Sequence, residues 1–127
     1  MKALLLCAAI LPLVAGCASS GSAASGPGSV VGRVLSAPSC PVERAGHPCP
    51  PRPVTRAAVV ALRGGDVIAS THSGGGGRFR LTLSAGQYVI RATNVGALHT
   101  TAQRQVTVDG HEGPAIVIRL VVDSGIR

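Results

Sequence analysis

Arg78-Phe79-Arg80-Leu81-Thr82-Leu83 alternates polar and apolar residues without a break. The same rhythm returns in Tyr88-Val89-Ile90-Arg91-Ala92-Thr93, after the turn Ser84-Ala85-Gly86-Gln87. Successive side chains of a strand point to opposite faces, so Phe79, Leu81 and Leu83 share one face, and Tyr88, Ile90 and Ala92 share another. An amphipathic helix would instead repeat its apolar residues about every three or four positions.

The same period extends in both directions. Val30-Val31-Gly32-Arg33-Val34-Leu35 reads as a first strand. Residues 57–63 and 67–71 form a hairpin joined by a three-residue loop, Gly64-Gly65-Asp66. Gly74 to Gly77 mark another turn, and residues 102–109 and 115–122 complete a set of seven short strands. Asp109-Gly110 and Gly113-Pro114 punctuate between the last two. Nothing after residue 28 carries a helical stripe. The expected fold is all-β, a seven-stranded antiparallel β-sandwich.

Composition agrees. With 46% hydrophobic and 13% charged residues the chain has too much apolar and too little charged character to stay unfolded. Seventeen glycines and nine prolines argue against a helical bundle. One Tyr, one Phe and no Trp leave a core that must be aliphatic. At 127 residues there is room for one such domain.

Ahead of the sandwich, Met1-Lys2 is followed by an uncharged apolar run over residues 3–14. A short positive start and a brief apolar core describe a secretory signal. The run is too short for a transmembrane helix, which needs about 20 apolar residues, and Pro12 interrupts it. It ends in Leu13-Val14-Ala15-Gly16-Cys17, which looks like a bacterial lipobox. Small residues before the cysteine fit the signal peptidase, and the Cys17 thiol takes a diacylglycerol before cleavage. The expected organisation is a lipoprotein signal peptide over 1–16, a lipidated Cys17 and flexible Ser/Gly/Ala tether over 17–28, and the domain over 29–127. Ordinary secretion with cleavage near Ala18 or Ser20 is the alternative. The eleven tether residues after Cys17 reach about 18 Å on average and at most about 40 Å. The implied location is the extracytoplasmic face of the cell membrane, in the envelope or periplasm.

A long Pro-rich loop, 36–56, separates the first two strands and holds Cys40 and Cys49. Loops of this length are usually constrained or functional. In an exported protein a disulfide between Cys40 and Cys49 is the expected constraint. Cys40, His47 and Cys49 as metal ligands, with His72, His99 or His111 as a fourth, are the alternative, although this spacing matches no common zinc pattern.

Val31-Gly32-Arg33-Val34, the Cys40-Pro41-Val42 and Pro48-Cys49-Pro50-Pro51-Arg52-Pro53 segments, Gly77-Arg78-Phe79 and Gly86-Gln87-Tyr88-Val89 together resemble a carboxypeptidase regulatory-like domain. The resemblance covers about residues 29–122. It implies a transthyretin-like, immunoglobulin-like sandwich in an extracytoplasmic accessory, anchoring or binding module. In the motif's physical sense, Gly86 permits a tight turn and Tyr88 anchors the next strand with its hydroxyl on backbone. The chain departs from the family where an acidic turn often precedes Gly-x-Phe, since Ser73-Gly74-Gly75-Gly76 stands there. Ser84-Ala85 likewise stands where Pro often precedes Gly-x-Tyr. Some hydrolases of the transthyretin fold end in Tyr-Arg-Gly-Ser, whereas this chain ends Ser124-Gly125-Ile126-Arg127.

Catalysis is poorly supplied. There is no Gly-x-Ser-x-Gly elbow, five carboxylates give little material for paired acid–base work, and the neighbours His72 and Ser73 point to opposite faces of a strand. The expectation is a non-catalytic module with no cofactor. The charge balance is the remaining signal. After residue 16 there are 11 arginines against 5 acids. Strand-borne arginines read as solvated outward faces. Arg44, Arg52 and Arg56 flank the disulfide loop and are the expected contact residues for an anionic partner such as lipid headgroups or wall polymer. Docking on another envelope protein through a sheet edge is the alternative, and metal handling through Cys40, His47 and Cys49 a third. Nucleic acid is not expected in an exported chain with Phe79 and Tyr88 as its sole stacking platforms.

Overall fold

The computed structural model describes residues 27–126 apart from 43, 97, 111 and 112. The signal peptide, Cys17, nearly all of the tether and His111 lie outside the described residues. Eight strands are β1 (Gly28–Ala37), β2 (Arg52–Pro53), β3 (Ala58–Arg63), β4 (Asp66–His72), β5 (Arg78–Leu83), β6 (Gly86–Thr93), β7 (Thr101–Val108) and β8 (Ile116–Asp123). Seven are those read from the alternation. The eighth, β2, is a two-residue strand inside the Pro-rich loop.

The strands form two facing four-stranded sheets. In the first, β1 is central. β8 lies along one side, pairing residues 30–37, and β5 then β2 share the other, pairing residues 28–33 and 35–36. The second sheet runs β4-β3-β6-β7, antiparallel throughout. The β1–β8 pair is parallel, a departure from the all-antiparallel expectation. Parallel neighbours need a long crossover, and here the entire second sheet lies between them in sequence.

Alternation explains the layers. Val30 and Val34 of β1, Phe79, Leu81 and Leu83 of β5, and Ile118, Leu120 and Val122 of β8 are buried from one side. Val59 and Ala61 of β3, Tyr88, Ile90 and Ala92 of β6, and Val106 and Val108 of β7 meet them from the other. Burying each aliphatic side chain of this size contributes about 1.5–3 kcal/mol. Phe79 and Tyr88 both lie in this core, so neither aromatic ring is left as a surface platform.

The β3–β4 hairpin turns on two residues, Gly64 and Gly65, both at positive φ, with Arg63 opposite Asp66. The expected three-residue loop is therefore shorter by one. The register shifts between Ala61 and Leu62, leaving Ile68 as the extra residue of a bulge on the edge strand β4. Such a bulge discourages edge-to-edge association.

The Gly-x-aromatic turns are built as their residue types require. Gly77 has φ +72°, and a Cβ there would stand 2.3 Å from the Val34 carbonyl oxygen. Gly86 has φ +153°, and a Cβ would stand 2.7 Å from the Arg63 guanidinium. That guanidinium lies 5.5 Å from the centre of the Tyr88 ring, within range of a cation–π contact. The Tyr88 hydroxyl donates to the Ser84 carbonyl at 2.8 Å, closing the turn on itself.

Candidate functional site

The Pro-rich loop is closed on itself and tied to the first sheet. Cys40 and Cys49 are bonded to each other across a Cα separation of 6.0 Å. Inside that ring Arg44 and His47 pair through backbone. With both sulfurs in the disulfide, neither Cys40 nor Cys49 offers a thiolate to a metal beside His47. At the loop's exit Val54 is buried and its N–H donates to the Val34 carbonyl at 2.9 Å. Ser73 is the one buried polar residue among the described residues. Its hydroxyl donates to the Val54 carbonyl and accepts from the Ala57 N–H. This hydroxyl is a structural clamp, committed at both ends, and His72 beside it is exposed.

Arg44, Arg52 and Arg56 are all exposed, in the loop, on β2 and at a positive-φ turn. None of them lines the open hollow over the first sheet. A different set of arginines does. On β1 the residues alternating with the buried Val30 and Val34 are Val31, Arg33 and Leu35, so these face outward. Strand register then places side chains in rows across the first sheet. Val117, Val31 and Arg80 form one row, and Arg119, Arg33 and Arg78 the next. Val121, Leu35 and Pro53 form the third.

The middle row sets three guanidinium-bearing residues on adjacent strands, about 4.8 Å from strand to strand. Arg80 sits two residues along β5 from Arg78. Arg33 donates through Nε to the Gly76 carbonyl at 3.1 Å, which ties one member of the row to the turn before β5. An open hollow of about 1110 Å³ lies over these rows. Pro50 and Pro51 wall it on one side, and Arg104 of β7 reaches its rim. No Asp or Glu of the described residues lines it. Asp66 belongs to the other sheet, Asp109 follows β7, and Asp123 ends β8.

Like charges set opposite one another across strands are unfavourable. A row of three arginines with no described carboxylate beside it is therefore an arrangement that an anion would relieve. Guanidinium groups present paired N–H donors to the oxygens of phosphate or carboxylate. Around them the surface is apolar, with Val117 78% exposed and Val121 43% exposed on either side of Arg119. Alternation assigns each of these arginines to the outward face, but only the register makes them neighbours.

No protein-family model matches the chain. No curated protein matches it either. Among solved structures it is similar to a DUF3823 family protein from Parabacteroides merdae, at 16% sequence identity and a TM-score of 0.50. The match covers 76% of this chain and 46% of that one, so the chain spans about half the length of that protein. The likeness is one of β-rich fold.

Proposed function

We propose that this protein is a lipid-anchored, non-catalytic binding module of the cell envelope, built on a carboxypeptidase regulatory-like sandwich and tethered through Cys17. The observation that carries the binding role is the Arg119–Arg33–Arg78 row under an open hollow with no described carboxylate on its walls. The non-catalytic reading is supported by Ser73, whose buried hydroxyl is held by Val54 and Ala57. The anchor rests on the lipobox residues Leu13 to Cys17. Location at the extracytoplasmic membrane face follows from that anchor.

Peptide mass spectrometry on protein taken from the host's membranes, without reduction, tests this reading. The expected N-terminal peptide begins at Cys17 and carries diacylglycerol. A chain still beginning at Met1, or a mature chain cut near Ser20, would remove the anchor.

A second reading has one observation in its favour. Among the described strands β8 pairs with β1 alone, and its other edge makes no ladder. Strand addition by another envelope protein would use that edge. It predicts a stoichiometric crosslinked partner whose binding is indifferent to salt.

A further inference from the structure

We infer that the outer face of the β8–β1–β5 sheet lies against the membrane that anchors the chain and binds anionic phospholipid headgroups through Arg33, Arg78, Arg80 and Arg119. This rests on the anchored reading above and names the ligand of that same site.

Three observations select the bilayer as occupant. The first is charge. Four arginines share one sheet face, with no Asp or Glu of the described residues lining it. Phosphate oxygens of neighbouring headgroups supply the matching acceptors. The second is the apolar surface between the charges. Val117 and Val121 flank Arg119 on β8 and are 78% and 43% exposed. A bilayer interface accepts both apolar and cationic side chains, whereas a soluble polyanion takes only the charge. The third is connectivity. β1 begins at Gly28, where the expected tether ends, and β1 is the centre of this sheet. Arg33 lies five residues further, about 17 Å along the strand. A tether of at most about 40 Å brings this face to the bilayer.

The test uses the processed chain, residues 17–127, carrying Cys17→Ser so that no lipid contributes. It is sedimented with vesicles of phosphatidylcholine alone and of phosphatidylcholine with phosphatidylglycerol. Each arginine near an anionic surface changes partitioning about fivefold, and four together several hundredfold. The expected result is retention on the phosphatidylglycerol vesicles only, lost in R33Q/R78Q/R80Q/R119Q. V117S/V121S should weaken vesicle binding while leaving any binding to soluble polyphosphate unchanged. Retention should also fall as salt rises and the screening length shortens from about 30 Å at 0.01 M to about 8 Å at 0.15 M.

Equal retention of the quadruple variant and the parent would overturn the proposal. So would an equal loss in R44Q/R52Q/R56Q, which would mean that net charge and not this face is responsible. Binding to polyphosphate that matches or exceeds vesicle binding, with no effect of V117S/V121S, would replace the bilayer by a soluble polyanion. Circular dichroism of each variant checks that the sandwich is intact. Because these chains carry no lipid, a failure here is distinct from a failure of the anchor, which the native N-terminal peptide reads by itself.

Discussion

The hydroxyl of Ser73 donates to the carbonyl of Val54 at 2.5 Å, joining the end of β4 to the exit of the Pro-rich loop across 19 residues of sequence. The same oxygen accepts from Ala57 N–H at 2.9 Å, while the Ser73 backbone exchanges hydrogen bonds with Arg56 and Ala57. One small side chain therefore satisfies two backbone groups where the chain leaves the loop and enters β3. Replacement by Ala strands both in a buried site. An unsatisfied buried polar group costs about 1–3 kcal/mol, so Ser73→Ala should lower unfolding stability by about that amount. Urea denaturation measures it, and a loss below a few tenths would mean that water enters and replaces the hydroxyl.

The Gly86–Tyr88 turn makes a graded prediction. Tyr88→Phe removes only the bond to the Ser84 carbonyl and should cost about 0.5–1.5 kcal/mol. Gly86→Ala should cost more, because its Cβ falls on the Arg63 guanidinium and φ is +153°. Displacing Arg63 also loses its contact with the Tyr88 ring. Comparing R63A/G86A with Arg63→Ala alone isolates the backbone strain, because the Arg63 clash and its contact with Tyr88 are absent from both.

The Cys40–Cys49 bridge closes a short ring, with a sequence separation of 9. In the chain-entropy view that ring contributes about 2.5–3 kcal/mol through the unfolded state. C40A/C49A should therefore unfold at lower denaturant concentration. It should also raise hydrogen exchange between residues 38 and 51, while β5 and β6 keep their protection. Uniform loss of protection across both sheets would show that the loop is part of the cooperative core and not an appendage.

Strand faces were legible from single residues, and strand partners were not. The alternation in Arg78 to Leu83 and Tyr88 to Thr93 fixes which side chains are buried, because the pleat has a period of two. The bond from Tyr88 to Ser84 follows the Gly-x-Tyr pattern for the same local reason. Parallel pairing of β1 with β8 depends on contacts about ninety residues apart, and no local pattern encodes it. The hairpin turn came out one residue shorter because Asp66 pairs with Arg63, which alternation alone does not decide. The arginine row was hidden for the reason that hid β1–β8. Arg33, Arg78 and Arg119 are far apart in sequence, and only register brings them side by side. Arg44, Arg52 and Arg56 stood out by proximity along the chain, yet they are spread over the loop, β2 and a turn.

That row should also be visible as a stability defect. Arg119 and Arg33 are opposed in the β1–β8 register, and Arg33 and Arg78 in the β1–β5 register. Cross-strand pairs contribute about 0.2–1 kcal/mol, with the sign reversed for like charges. Arg119→Thr places a β-branched residue on an exposed strand position and removes one repulsion, so it should raise stability by about 0.5 kcal/mol. A double-mutant cycle of Arg33→Gln and Arg119→Gln should give a repulsive coupling at low salt that fades at high salt. Inorganic phosphate should raise the melting temperature of the parent more than that of the variants, because it binds the folded row and not the unfolded chain. A gain in stability accompanied by a loss of anion response is the pattern expected where binding residues are held in an arrangement the fold alone would not favour. A destabilised Arg119→Thr would mean instead that packing by the arginine's aliphatic stem outweighs the repulsion of its charge.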